Sequence, residues 1–267
     1  MRKEHFLVVG LGVAMVFALY FFGVTHKKDK EPANIARQHS FSDYEALQFQ
    51  KIPEADANTI KELKRTLTLQ PSLENTLALS KAWEAIGNYP LGAYYFYKSS
   101  ELEPDKADWQ VTGDKLYNSY KNYSDTLITD NLLTFALASY EKAINSSKEK
   151  VDLKMKLAEV YVESPEPMKG ILMLREIVDS IPDYIPAIMR LGRLSLQTGQ
   201  FDKAVERFDK VLEIDPVNTE AMYFLALTNE GLGNIDEAIR LMEICKDLVQ
   251  IPEFSQEVDA YINNLKK

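Results

Sequence analysis

The sequence predicts an all-α fold: an α-solenoid of about five helix pairs closed by a C-terminal capping helix, preceded by one N-terminal transmembrane helix and a linker. Three observations carry that expectation. Residues 184–216 match the segment that follows them at a spacing of 34, with Leu191 falling on Leu225, Gly199 on Gly233, Ala204 on Ala238 and Phe208 on Met242. Two positions in every copy stay small. Residues 6–24, "FLVVGLGVAMVFALYFFGV", run for nineteen residues without a charge.

The chain starts with a short basic tail, residues 1–5, carrying Arg2 and Lys3. The uncharged run after it would span about 28 Å as a helix, close to the hydrocarbon thickness of a bilayer. It is longer than the apolar region of a cleaved signal peptide, and no small-x-small site precedes "THKK", so it reads as an uncleaved anchor. Lys27, Lys28, Lys30 and Arg37 follow the span, so the positive-inside count does not favour export of the body. The layout nevertheless resembles a bacterial signal anchor, which implies a single-pass inner-membrane protein with a periplasmic body; a cytoplasmic body is the alternative. Residues 25–58, polar and with two prolines, read as a linker, within which "FSDYEALQF" has the pattern of a short helix.

Residues 59–267 read as the folded body. Moving the 34-residue ruler backward puts Leu157 under Leu191, Gly170 under Ala204, Leu174 under Phe208 and Pro182 under Pro216. Pro165 then occupies the place of Gly199 and Gly233, so "ESPEPMKG" marks a turn between antiparallel helices and not a domain boundary. Nearer the start, Gly87 is the turn, Gly92 the small contact, Phe96 the large core residue and Pro104 the terminator. The copy in between has Ala136 and Tyr140 at the matching places and an insertion of about eleven residues, expected as a longer first helix and loop. The five copies are 73–106, 107–150, 151–184, 185–218 and 219–250.

Their first helices share the small column Ser80, Gly113, Ala158, Gly192 and Ala226, and their second helices Gly92, Ala136, Gly170, Ala204 and Ala238. Small side chains let two helix backbones approach, and stacked pairs complete a core that one pair cannot. Phe254, Val258, Tyr261, Ile262 and Leu265 form one apolar helical face within 253–267, the expected cap. "TIKELKRTLTL", before Pro71, is suited to cover the other end.

These residues resemble the tetratricopeptide repeat family over about 73–250, two-thirds of the chain. Departures are few: the family's first-helix Trp occurs only at Trp109, and Gly replaces Ala at 92 and 170. The resemblance implies a concave groove lined by the first helices, with Met189, Arg190, Arg193 and Leu196 from the fourth copy and Tyr223, Phe224 and Leu227 from the fifth. Such a groove would take an extended or helical peptide, Arg190 and Arg193 engaging a carboxylate and Tyr223 and Phe224 giving apolar anchors; the alternative is inter-repeat packing. The Lys/Asn set with which the family clamps chaperone tails is absent. Tyr117, Tyr120 and Tyr123, at i, i+3 and i+6 in the insertion, are a candidate partner contact or a stripe packed on the next helix.

Charge and chemistry narrow the function. Residues 41–267 carry 25 Lys/Arg against 37 Asp/Glu, a net of −12, which opposes a nucleic-acid surface. All three histidines, His5, His26 and His39, precede the body, and no phosphate loop, zinc-protease or nucleophile-elbow motif occurs. Neither catalysis, a cofactor, a metal nor a small-molecule substrate is expected. Cys245 shares an apolar column with Ser99, Ala143, Ile177 and Val211 and reads as a buried thiol. The expected function is a membrane-anchored protein-protein interaction module or scaffold. Its layout resembles envelope proteins that act near the secretion translocon or in cytochrome c maturation. The alternative is a structural subunit of a larger membrane complex, using its convex face or the Tyr-rich insertion.

Overall fold

The computed structural model describes residues 40–123, 128–146 and 150–266. Among them are thirteen helices and no strand. Helices α1 (Phe41–Gln48) and α2 (Glu54–Leu69) lead into five pairs: α3 (Leu73–Ala85) with α4 (Tyr89–Leu102), α5 (Trp109–Asn122) with α6 (Thr129–Ser146), α7 (Lys150–Glu163) with α8 (Pro167–Ser180), α9 (Ile185–Gln197) with α10 (Phe201–Ile214), and α11 (Thr219–Leu232) with α12 (Ile235–Val249). Helix α13 (Pro252–Leu265) closes the stack, burying Val258 and Ile262. From α2 onward each helix packs mainly on its chain neighbours, the arrangement of a solenoid.

Local chemistry sets the helix limits. Ser72, Asn88, Asp108 and Asn218 each accept a backbone N–H of the first turn they cap. Proline stands in the first turn of α4, α8, α9 and α13, where no N–H is missed. The intra-pair turns at Gly87, Gly199 and Gly233 have φ of +79°, +70° and +81°, a region that favours glycine. The third pair turns without one. Ser164 there donates its N–H to the Tyr161 carbonyl and accepts the Glu166 N–H on its hydroxyl.

The two small columns meet. In the first pair the Ser80 hydroxyl donates to the Gly92 carbonyl at 2.7 Å. In the third, a Cβ on Gly170 would lie 2.4 Å from the Ala158 carbonyl oxygen, so the backbones touch. Gly113 lies under the Tyr140 ring and Gly192 under the Phe208 ring, with Cβ positions 2.9 and 2.6 Å from ring carbons. Leu174, Phe208 and Met242 are buried as expected. Phe96 is not: it is half-buried, and Tyr97 beside it takes the core place, stacked on Phe135 at 4.6 Å.

The insertion lengthens both helices of the second pair. Helix α5 runs nine residues beyond Gly113 where α9 runs five beyond Gly192, and α6 starts seven residues before Ala136 where α10 starts three before Ala204. Each helix thus gains a turn.

One boundary needs correction. Residues 41–48 and the start of the helix at Glu54 lie within the stretch read as linker, so the second half of that stretch is folded. A capping box on Ser40 starts α1, and Phe41 stacks on Tyr94 with ring centroids 4.1 Å apart. Glu45 is buried, accepting from Lys64 and, at 3.0 Å, from the Tyr95 hydroxyl. The anchor expected at 6–24 lies outside the described residues; among those described, no helix is long and apolar enough to cross a membrane.

Tyrosines tie the helices together. Tyr117, Tyr140, Tyr161 and Tyr184 donate to Glu163, Asp114, Glu141 and Asp152 at 2.9, 2.6, 2.8 and 2.5 Å, and Tyr261 donates to Glu230. Burial, then the hydrogen bond to Asp152 and its charge, pushes the Tyr184 phenol up to about 12. Lys156 joins Asp114 at 2.7 Å and balances the charge of that joint.

Two outcomes follow. Gly170→Ala places a methyl against backbone that cannot yield, and should lower the unfolding free energy by about 2 kcal/mol despite better helix propensity, read by urea denaturation. The raised Tyr184 pKa gives a stability contribution complete below about pH 10 and lost as pH rises toward 12. Tyr184→Phe should therefore flatten part of the fall in urea midpoint over that interval; parallel wild-type and variant curves would remove this joint from the account.

Candidate functional site

The first-helix face is where the family resemblance implies a binding groove, and burial divides its seven residues. Met189 and Leu196 on α9 and Phe224 and Leu227 on α11 are buried, so they belong to the core and offer no open apolar wall. The reason is geometric. A first helix packs on its own second helix and on the second helix of the preceding pair, so more than one stripe is covered; α9 buries Ala187, Ile188, Met189, Leu191, Gly192, Ser195 and Leu196. Phe224 stacks on Phe208 at 5.7 Å, an inter-repeat contact.

Arg190, Arg193 and Tyr223 remain at the face. The Arg190 guanidinium lies 3.9 Å from Glu163 Oε1, and that same oxygen accepts the Tyr117 hydroxyl at 2.9 Å. Arg193 Nη1 donates to Glu220 Oε1 at 3.1 Å, and its guanidinium lies over the Phe224 ring at 5.8 Å. The Nε donors of both arginines are covered and have no hydrogen-bond partner among the described residues. Tyr223, half-buried, meets the Phe224 ring edge-on at 5.5 Å. The arginines thus lie between acids of the neighbouring first helices with donors unspent. The covered Nε donors are closed to an outside group, so a partner carboxylate would meet only the parts of Arg190 and Arg193 that stay exposed, 14% and 27% of the two side chains.

The sequence carried a signal for this ladder that the repeat ruler passed over. Glu163 to Arg190 and Arg193 to Glu220 are both 27 residues, one repeat less two helical turns. Opposite charges at that spacing face each other on adjacent first helices.

The insertion tyrosines do not form one surface. Tyr117 is buried and bonded to Glu163, in keeping with the packed alternative of its two readings; burial first, then the Glu163 charge, raises its phenol pKa. Tyr120 stacks on Tyr117, with ring planes 9° apart. Tyr123 turns to the other neighbour and donates to the Gly87 carbonyl at 3.2 Å.

Elsewhere, Cys245 is buried in its predicted column with Ser99, Ala143, Ile177 and Val211, its Sγ donating to the Thr219 carbonyl at 3.5 Å. Burial pushes the thiol up to about 11. Among the described residues, no group of three or more His, Cys, Asp or Glu could hold a metal ion.

Residues 195–244 match the family model described as tetratricopeptide repeat. A tetratricopeptide repeat protein from Parabacteroides merdae ATCC 43184 superposes with a TM-score of 0.51 at 20% identity, covering 73% of each chain. MamA superposes with a TM-score of 0.46 at 20% identity, over 64% of this chain and 95% of its own. The CTR9 homolog of Arabidopsis thaliana is 22% identical over 180 residues, 58% of this chain; the chain spans 16% of that relative's length. The fold is accordingly a tetratricopeptide-type solenoid.

The thiol gives a direct check on the core. At pH 8 only about one thiol in a thousand would be ionised. Cys245 should resist Ellman's reagent in the folded chain and react fully in denaturant; fast labelling of folded protein would contradict its burial.

Proposed function

We propose that the protein is a non-enzymatic interaction module whose first-helix face captures an acidic segment of a partner protein, held at a membrane by residues 6–24. The fold supports a binding surface built from successive first helices. The observation that carries the polar part of the reading is the pair Arg190 and Arg193, which stay partly exposed at the face, 14% and 27%, with Arg190 no nearer than 3.9 Å to its acid. A partner carboxylate would complete the coordination that Glu163, 3.9 Å away and shared with Tyr117, leaves open at Arg190. Tyr223 supplies an amphipathic edge beside it.

The membrane part rests on nineteen uncharged residues behind a basic tail. A tether raises the effective concentration of the groove near its target, so that weak capture suffices. The body is assigned to the periplasmic side of a bacterial inner membrane, where accessory roles in secretion or cytochrome maturation suit a holding module. Fold-level analogy is the only ground for those roles.

Selection of short peptides on the immobilised full chain tests the groove. Enriched sequences should carry Asp, Glu or a free C-terminal carboxylate, and Arg190→Glu with Arg193→Glu should weaken them at least about tenfold while the circular dichroism spectrum holds. Enrichment without acids, or undiminished binding by the double variant, would move binding off this face. Protease added to intact spheroplasts reports the side: digestion of the body supports the periplasmic assignment, and protection until lysis reverses it.

A further inference from the structure

The single break in the repeat register coincides with a cavity. A half-open space of about 360 Å³ lies between the turn of the first pair and the extended end of α5. Its walls include Glu84, Tyr89, Lys115, Asn118, Asn122 and Tyr123. Asn118, Asn122 and Tyr123 come from the end of the second repeat's first helix and the residue after it, the stretch lengthened by the insertion.

A second departure from the repeat pattern serves the same place. Gly92 stands where later copies, apart from Gly170, have alanine, and a Cβ there would lie 2.4 Å from Glu84 Cγ. Glycine therefore clears the path by which the Glu84 side chain runs to the cavity. Once there, Glu84 Oε1 accepts from Lys115 at 2.6 Å, while its other oxygen has no partner among the described residues. Lys115 is also held over the Phe96 ring at 5.1 Å, so its charge is already engaged. At the mouth, the rings of Tyr89 and Tyr123 have centroids 5.9 Å apart at 44°, Tyr89 being 50% exposed. The bond from Tyr123 to the Gly87 carbonyl fixes the second ring.

Two tyrosine rings and a carboxylate with a spare oxygen, lining one cavity, suit a cation. We propose that this cavity takes an arginine side chain of a partner polypeptide. The stem lies against the rings of Tyr89 and Tyr123, the planar guanidinium reaches the free oxygen of Glu84, and the amide oxygens of Asn118 and Asn122 are placed to accept its outer N–H groups. Arginine fits better than lysine because its flat, weakly hydrated head stacks on rings and binds a carboxylate through a fork. The net charge of −12 on residues 41–267 favours the approach of a basic segment to the body. The site is separate from the first-helix face proposed above and of opposite charge preference, so either stands without the other.

Nitrogen-15 NMR of the labelled full chain tests it, with N-acetyl-arginine methylamide as probe and N-acetyl-norleucine methylamide, which has a similar stem and no charge, as control. Saturable shifts are expected at Glu84 and at the Asn118 and Asn122 side-chain amides with the arginine compound alone. Glu84→Gln and, separately, Tyr89→Ala should each raise the dissociation constant by about tenfold, and Arg190→Glu with Arg193→Glu should leave it unchanged. No saturable shift up to ~50 mM, equal shifts from norleucine, or unchanged affinity in both Glu84→Gln and Tyr89→Ala would overturn the proposal. Should Glu84→Gln disturb the spectrum as a whole, Tyr89→Ala, at a half-exposed position, decides the matter alone.

Discussion

The contact between the two small-residue columns is the constraint on which the rest of the molecule depends. Where Gly170 meets the Ala158 carbonyl, no atom beyond Cα fits between the helices, and where Ser80 meets Gly92 a hydroxyl bridges the same gap. That closeness sets the depth at which Tyr140 and Phe208 sit, because each covers a glycine on the facing helix. It also sets the spacing of successive first helices, and with it whether Glu163 can reach Arg190 or Arg193 can reach Glu220. Widening one pair would shift a core ring, a joint and a groove contact together. In a fold held by nearest-neighbour interfaces, such a change stays local and is felt at both adjoining repeats.

Much of this was legible because it repeats. A 34-residue period with glycine at the turn specifies a left-handed residue every time, and the three turn glycines all have positive φ. The small columns were legible for the same reason. What does not repeat was legible only in part: "FSDYEALQF" reads as a short helix and is one, but its partners were not readable. Helix α1 is fixed by Phe41 on Tyr94 and by Glu45 on Tyr95 and Lys64, pairings across about twenty to fifty residues that no period reports. The groove residues were left between two readings, partner contact and inter-repeat packing, for another reason. A hydrophobic residue on a first helix satisfies the pattern whether it faces its pair, the preceding pair or solvent, and Met189, Leu196, Phe224 and Leu227 all face inward. Arg190, Arg193 and Tyr223 stay partly exposed, as their charged or polar ends favour.

The joints between helices have a common form: a phenol on or just before one helix and a carboxylate on another. A tyrosine suits this role since its ring fills the space between helices while its hydroxyl reaches the polar margin. Pairing it with an acid also lets an acidic body use its carboxylates internally; Glu163, Asp114, Glu141, Asp152 and Glu230 are all held this way. The charge left over is then unevenly spread. Asp114 is further offset by Lys156, whereas Glu163 must serve both Tyr117 and the more distant Arg190. The arginine is short of partners because its acid is already committed to a joint.

Binding at such a face is an exchange more than an addition. A partner carboxylate that approaches Arg190 or Arg193 competes with Glu163 or Glu220, so part of the Coulomb energy gained is energy surrendered, and the net gain comes from donors that no internal acid reaches. Exchange of this kind favours discrimination over raw affinity, because a segment lacking the acid offers nothing to replace the internal pair. Modest affinity is useful only where the local concentration of the partner is high. The proposed tether and the folded face therefore depend on each other: the uncharged span would supply proximity, and the half-satisfied arginines would supply the choice of segment.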